Sequence, residues 1–159
     1  MTSIDDLVGE LERRVAGDDA LSTILETAVR ELHETSPLFD WTGIYELFPD
    51  NVLRLGPFVG APTDHVFIGV GNGICGTAVA ERRNINVPDV RDVDNYLACS
   101  ADTRSELVVL IRDGETIFAQ IDIDSHTLAA FDGATVQGVE RVAAVLARAY
   151  RDRAATSAP

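Results

Sequence analysis

Apolar residues in the first part of the chain recur at helical spacing. Ile4, Leu7, Val8, Leu11 and Val15 make one stripe, and after Gly17-Asp18 the segment 19–34 repeats it with Leu21, Ile24, Leu25, Ala28, Val29 and Leu32. Ser36-Pro37 ends this second helix. The pattern then changes. WTGIYELF (41–48) is rich in aromatic and β-branched residues, Pro49-Asp50-Asn51 turns the chain, and VLRLGPFVG follows, which predicts an antiparallel hairpin. A loop at 61–64 leads to a short strand over 65–70, then a glycine turn feeds a short helix over about 74–82. Asn86 and Val87 are briefly extended, and a loop carries Cys99. Segments 106–112 and 116–124, joined by Asp113-Gly114, give the strongest hairpin signal in the chain. A last helix over about 132–151 aligns Val136, Val139, Val142, Ala143, Leu146 and Tyr150, and the tail RAATSAP is expected to fray.

No repeat or linker divides the 159 residues, so they predict one domain, 1–159, with its core at about 19–151. The fold class is α+β, a mostly antiparallel sheet flanked by N-terminal and C-terminal helices. That order of elements resembles a GAF domain.

Composition narrows the partners. The 13 basic residues are all arginine, against 26 Asp plus Glu, giving a net charge of −13. Such a surface repels phosphate backbones and anionic lipid, so neither nucleic acid nor a membrane is an expected partner. No apolar run reaches the ~20 residues of a membrane span. The acidic, amphipathic start is unlike a signal peptide, so a cytoplasmic location is expected. An acidic, lysine-free surface resembles that of cytosolic proteins from salt-accumulating halophiles; a GC-biased genome is the plainer origin of the arginines.

The residues that carry chemistry gather between Gly71 and Asp124. GNGICG has the glycine spacing of a dinucleotide fingerprint, but that motif needs a βαβ unit, and tight hairpins are predicted around it. Cys75 sits where a helix begins, where free N–H groups favour a thiolate. Cys99 precedes SADTRSE, a second plausible helix start, with Arg104 near enough to help. Two isolated cysteines offer too few ligands for a metal. His33, His65 and His126 read as structural or solvated. Asp122 and Asp124 alternate with Ile121 and Ile123 and share a sheet face. Such alternation commonly marks a solvated face, yet two close carboxylates can also raise one another's pKa and hold a proton. Glu106 opens the partner strand, and Trp41 and Tyr45 share a face of an earlier one.

Taken together, WTGIY, GNGICGTAVAE, VPDV, YLACSADTRSE and IDIDS resemble the free methionine-(R)-sulfoxide reductases, single-domain GAF enzymes, over nearly the whole chain. The resemblance implies Cys99 as nucleophile and Cys75 as the cysteine that resolves its sulfenic acid to a disulfide. Trp41, Tyr45 and Leu97 match the pocket around the substrate's apolar end. Glu106, Asp122 and Asp124 match the carboxylates around the sulfoxide and the ammonium group, with Glu106 and Asp124 also binding substrate. It implies thiol-dependent reduction of free methionine-(R)-sulfoxide in defence against oxidative stress. The implied partner is a thioredoxin-like reductant, no cofactor or metal is needed, and a homodimer is left open. The rival reading is a GAF module that senses or binds a small ligand without turnover. The sequence departs from the family where TDHVFIGV replaces a third cysteine, where Ser100 follows the nucleophile in place of Asp, and where Gln120 replaces an apolar residue.

If the acidic surface reflects a salty cytosol, screening of its self-repulsion should raise the melting temperature as KCl increases to molar concentrations. Thermal unfolding in dilute buffer and in molar KCl checks this; a flat or falling melting temperature contradicts it.

Overall fold

The computed structural model describes residues 2–97 and 100–157. Two helices, α1 (Ile4–Ala16) and α2 (Leu21–Glu34), precede the hairpin of β1 (Trp41–Leu47) and β2 (Val52–Val59). After them come β3 (Phe67–Gly69), α3 (Gly73–Glu81) and β4 (Ile85–Val87), then a single 3-10 turn at Val90–Asp92. The long hairpin β5 (Ser105–Asp113) and β6 (Thr116–Ser125) and the closing helix α4 (Gly133–Ser157) complete the chain. The strands form one sheet in the order β3-β2-β1-β6-β5-β4, every neighbouring pair antiparallel.

Local chemistry explains where elements begin. Ser3 caps α1 in a reciprocal box: its hydroxyl accepts the Asp6 N–H at 3.0 Å while the Asp6 carboxylate accepts the Ser3 N–H at 3.3 Å. Asp5 and Asp6 also oppose the positive helix end. Gly114, at φ 57°, turns β5 into β6.

Period-two alternation on the central strands divides the interior in two. Ile44 of β1, Leu107, Val109 and Ile111 of β5, and Ala119, Ile121 and Ile123 of β6 face α1, α2 and α4 and make the larger core. Trp41, Tyr45, Val108 and Leu110 point the other way, toward Ile74, Cys75, Ala78 and Val79 of α3. The central strands are therefore covered on both faces. None of the described helices is long and apolar enough to cross a membrane.

Two local expectations are corrected. The strand expected over 65–70 shortens to Phe67–Gly69, because Val66 N–H turns back to the Asp64 carbonyl. SADTRSE starts no helix. Residues 101–102 turn, and Arg104 then exchanges backbone hydrogen bonds with Val90 and Ser125, which draws the chain into β5. Sheet pairing on both sides wins over local helix signals there. The glycine segment feeds α3 inside an antiparallel sheet, so the βαβ unit of a dinucleotide site is absent among the described residues.

Helix α1 belongs to the core, since Leu11 is wholly buried between α1 and its neighbours. Leu11→Ala should cost about 2–5 kcal/mol of stability, from lost apolar contact and an unfilled cavity. Denaturant unfolding with an unchanged m value checks it.

Candidate active site

Beyond Thr116 at its start, the polar residues of β6 do not face water. Gln120, Asp122 and Asp124 lie on the α3 side of the sheet, and Asp122 and Asp124 are each 1% exposed. Register then assembles the site. Asp124 pairs across with Trp41 on one side and Glu106 on the other, and Asp122 pairs with Gly43 and Val108. Glu106, at 3% exposure, is thus brought onto the same face. Helix α3 closes over them and delivers Cys75. The Cys75 Sγ and carboxylate oxygens of Glu106 and Asp122 lie within 4.8 Å of one another, all buried. Cys75 Sγ donates to Glu106 Oε2 at 3.8 Å.

Aromatic groups frame one side. The Trp41 indole passes directly over Gly43, where a Cβ would stand 2.4 Å from the ring. Trp41 Nε1 donates to the Ala61 carbonyl at 3.1 Å, and the Tyr45 hydroxyl donates to the His65 carbonyl at 2.8 Å. These two bonds tie the 61–66 loop to β1. Trp41 stacks between Tyr45 and Phe58, with centroids at 6.2 and 5.6 Å. Leu97 packs on Gly73, which has φ +64° and no room for a Cβ, since one would meet Leu97 Cγ at 2.8 Å.

A narrow cleft of ≈ 240 Å³ opens here, lined among the described residues by His65, Ile68, Asn72, Gly73, Ile74, Cys75, Leu97, Glu106 and Asp122. None of these is an arginine, and the chain has no lysine. Burial pushes the Cys75 thiol well above its ordinary value, and the Asp122, Glu106 and Asp124 carboxylates push the same way. The thiolate expected from the start of α3 is therefore overturned: desolvation and three acids outweigh the helix end. Burial also raises Asp122, partly offset by hydrogen bonds with Glu106 and Cys75. Burial thus favours a proton on Asp122, beside a thiol that is itself held protonated. The same three groups are the described set whose ligand atoms come close enough to hold a cation, a grouping that counting cysteines could not find.

Of the residues singled out from sequence, Cys75, Leu97, Glu106 and Asp122 line the cleft. Trp41, Tyr45 and Asp124 are buried beside it on the same sheet face. Cys99 lies outside the described residues. The Asp89 carboxyl is lowered chiefly by hydrogen bonds from Arg91, with Arg104 adding a small attraction. His33 meets Thr42 Oγ1 at 3.0 Å and His126 pairs with Asp40 at 3.6 Å, both structural. His65, read as structural or solvated, lines the cleft. Gln120 was missed as a support: its Nε2 donates to the Cys75 carbonyl at 3.0 Å and pins the first turn of α3 to β6. A polar residue amid IFAQIDID was the available signal.

Because Asp122 is held above its unfolded value of 3.8, its contribution to stability is greatest below that value and is lost as pH rises through the folded pKa. Asp122→Asn should therefore be more stable than the parent at pH 8, with the gap closing toward pH 4. Unfolding midpoints across that range check the sign.

The GAF domain model matches residues 20–150. The chain is 34% identical over 141 residues to the free methionine-R-sulfoxide reductase of Escherichia coli, covering 89% of this chain and 84% of the relative. Among solved structures, the free methionine-R-sulfoxide reductase of Neisseria meningitidis, in complex with its substrate, superposes with a TM-score of 0.86 at 28% identity, over 96% of this chain and 91% of that one. The reduced form of the same kind of enzyme from Staphylococcus aureus gives 0.84 at 32% identity, over 94% and 96%. Overall fold, a sheet face of buried acids closed by a cysteine-bearing helix, and these likenesses over most of the chain agree: the protein belongs to the free methionine-(R)-sulfoxide reductase family of GAF-domain enzymes.

Proposed function

We propose that the protein reduces free methionine-(R)-sulfoxide to methionine with thiols, through a Cys99 sulfenic acid that Cys75 resolves to a disulfide and a thioredoxin-like dithiol reopens in a reducing cytoplasm. The observation that carries this reading is the buried Cys75–Glu106–Asp122 cluster, with no arginine among its described neighbours in the cleft. Burial favours a carboxyl that holds a proton or pairs with a cation, and an amino acid sulfoxide offers an oxygen for the first and an ammonium for the second. Its oxygen must be protonated or strongly hydrogen-bonded before sulfur becomes electrophilic, and a carboxyl kept neutral by burial can do that. Its ammonium suits the remaining carboxylates. The apolar end fits against Trp41, Tyr45 and Leu97.

The cleft as it stands is narrower than an amino acid, so binding requires its walls to part. Cys99 thiolate takes the sulfoxide oxygen, methionine leaves, and the sulfenic acid condenses with Cys75. Exchange with an external dithiol restores both thiols.

Free methionine-(R)-sulfoxide should therefore react with dithiothreitol as reductant, while the N-acetylated, C-amidated analogue should not. Glu106→Gln should slow turnover by roughly 10²–10⁴-fold as a lost general acid, Asp124→Asn should raise the KM for the free substrate without unfolding the protein, and Cys99→Ser should abolish turnover. Methionine release from both substrates, in parent and variants, checks this. Equal rates on the two substrates would overturn the carboxylate roles, and no turnover of either would leave the ligand-sensing reading.

A further inference from the structure

Cys75 is badly placed to ionise. It is the third residue of α3, buried, and faces Glu106 from β5 and Asp122 and Asp124 from β6, with His65 lining the same cleft from the loop before β3. A resolving thiol must nevertheless lose its proton when it attacks. Water has little access here, since the open part of the cleft holds about one molecule. The thiol donates to a carboxylate oxygen, Glu106 Oε2, at 3.8 Å, and Asp122 is the other carboxyl in contact with it.

We propose that Glu106 is the general base that takes the Cys75 proton in the resolving step, so that one carboxyl acts as acid in the first half-reaction and as base in the second. This rests on the reading of Cys75 as the resolving cysteine. In the first half-reaction the bond between methionine sulfur and oxygen breaks, its electron pair stays on the methionine sulfur, and oxygen joins the Cys99 sulfur with the Glu106 proton. Methionine sulfur is reduced and Cys99 oxidised. Glu106 is left as a carboxylate beside the Cys75 S–H. It accepts that proton as the Cys75 sulfur attacks the sulfenic sulfur; an S–S bond forms, the S–O bond breaks, and the proton departs with the hydroxyl as water. The proton Cys99 gives up when it next ionises restores Glu106. Over the whole cycle both thiol protons and the sulfoxide oxygen leave as one water. The order needs no proton from bulk solvent, in keeping with the tightness of the cleft.

The test bypasses sulfoxide turnover. Hydrogen peroxide converts a cysteine thiolate directly to sulfenic acid, and closure to the Cys75–Cys99 disulfide is followed by mass spectrometry in competition with dimedone, a trap for sulfenic acid. In the intact protein closure should be nearly independent of pH between 6 and 9. Glu106→Gln should close at least about a hundredfold more slowly at pH 7 and accelerate about tenfold per pH unit, because hydroxide must now remove the proton. Asp122→Asn, which keeps Glu106, should close faster than Glu106→Gln. Closure in Glu106→Gln at the parental rate and pH dependence would overturn the proposal, as would slower closure in Asp122→Asn than in Glu106→Gln. Should Glu106→Gln fail to fold, the parent decides alone: closure that itself climbs tenfold per pH unit from 6 to 9 excludes an internal base. Peroxide-treated parent that never forms the disulfide removes the resolving role of Cys75 and this proposal with it, whereas sulfoxide turnover is measured separately and can fail by itself.

Discussion

Strand β6 is buried on both faces, and the rest of the structure depends on that. Its odd positions, Ile121 and Ile123, lie in the core under α1, α2 and α4, while Gln120, Asp122 and Asp124 lie under α3. Because side chains alternate with period two, a slip of one residue would drive the two aspartates into the larger apolar core. The apolar face thus fixes the register, and the register places the acids. Pairing on both sides of β6 then adds Trp41 from β1 and Glu106 from β5 to the same rung.

The consequence is electrostatic. Water has little access to these carboxyls, and no arginine lines the cleft among the described residues; burial raises Asp122. The same field raises the Cys75 thiol. A site of this kind keeps a proton on Asp122 and ionises thiols poorly. In the proposed mechanism the acids that activate the sulfoxide also make Cys75 reluctant to ionise, and its contact with Glu106 would address the second difficulty with the product of the first.

Support for the site comes from groups with no chemistry of their own. Gln120 holds the first turn of α3 against β6 through the Cys75 carbonyl, and Tyr45 and Trp41 hold the 61–66 loop through the His65 and Ala61 carbonyls. Gly43 leaves space for the indole, and Gly73 leaves space for Leu97. Apart from the Trp41–Gly43 contact within β1, each is a close approach between segments distant in sequence, so a substitution there would act on geometry before it acted on charge.

Much was legible in the residues themselves. The helical stripes of α1, α2 and α4, the Asp113-Gly114 turn and the shared face of Asp122 and Asp124 follow from local periodicity and turn chemistry, which need no partner to be read. The sequence alone could not say whether that shared face was wet or dry, because alternation looks the same on a solvated strand and on one covered by α3. Nor could it say which way the Cys75 thiol would shift: a helix start favours the thiolate, and only the approach of Glu106 and Asp122 from two other strands reverses the sign. SADTRSE was misread for the same reason, since its backbone is claimed by Val90 and Ser125, 14 residues before and 21 residues after Arg104. Local pattern thus determined the elements and the candidate residues, while burial, charge and proton affinity were decided by contacts across the sheet, because desolvation depends on what lies opposite in space.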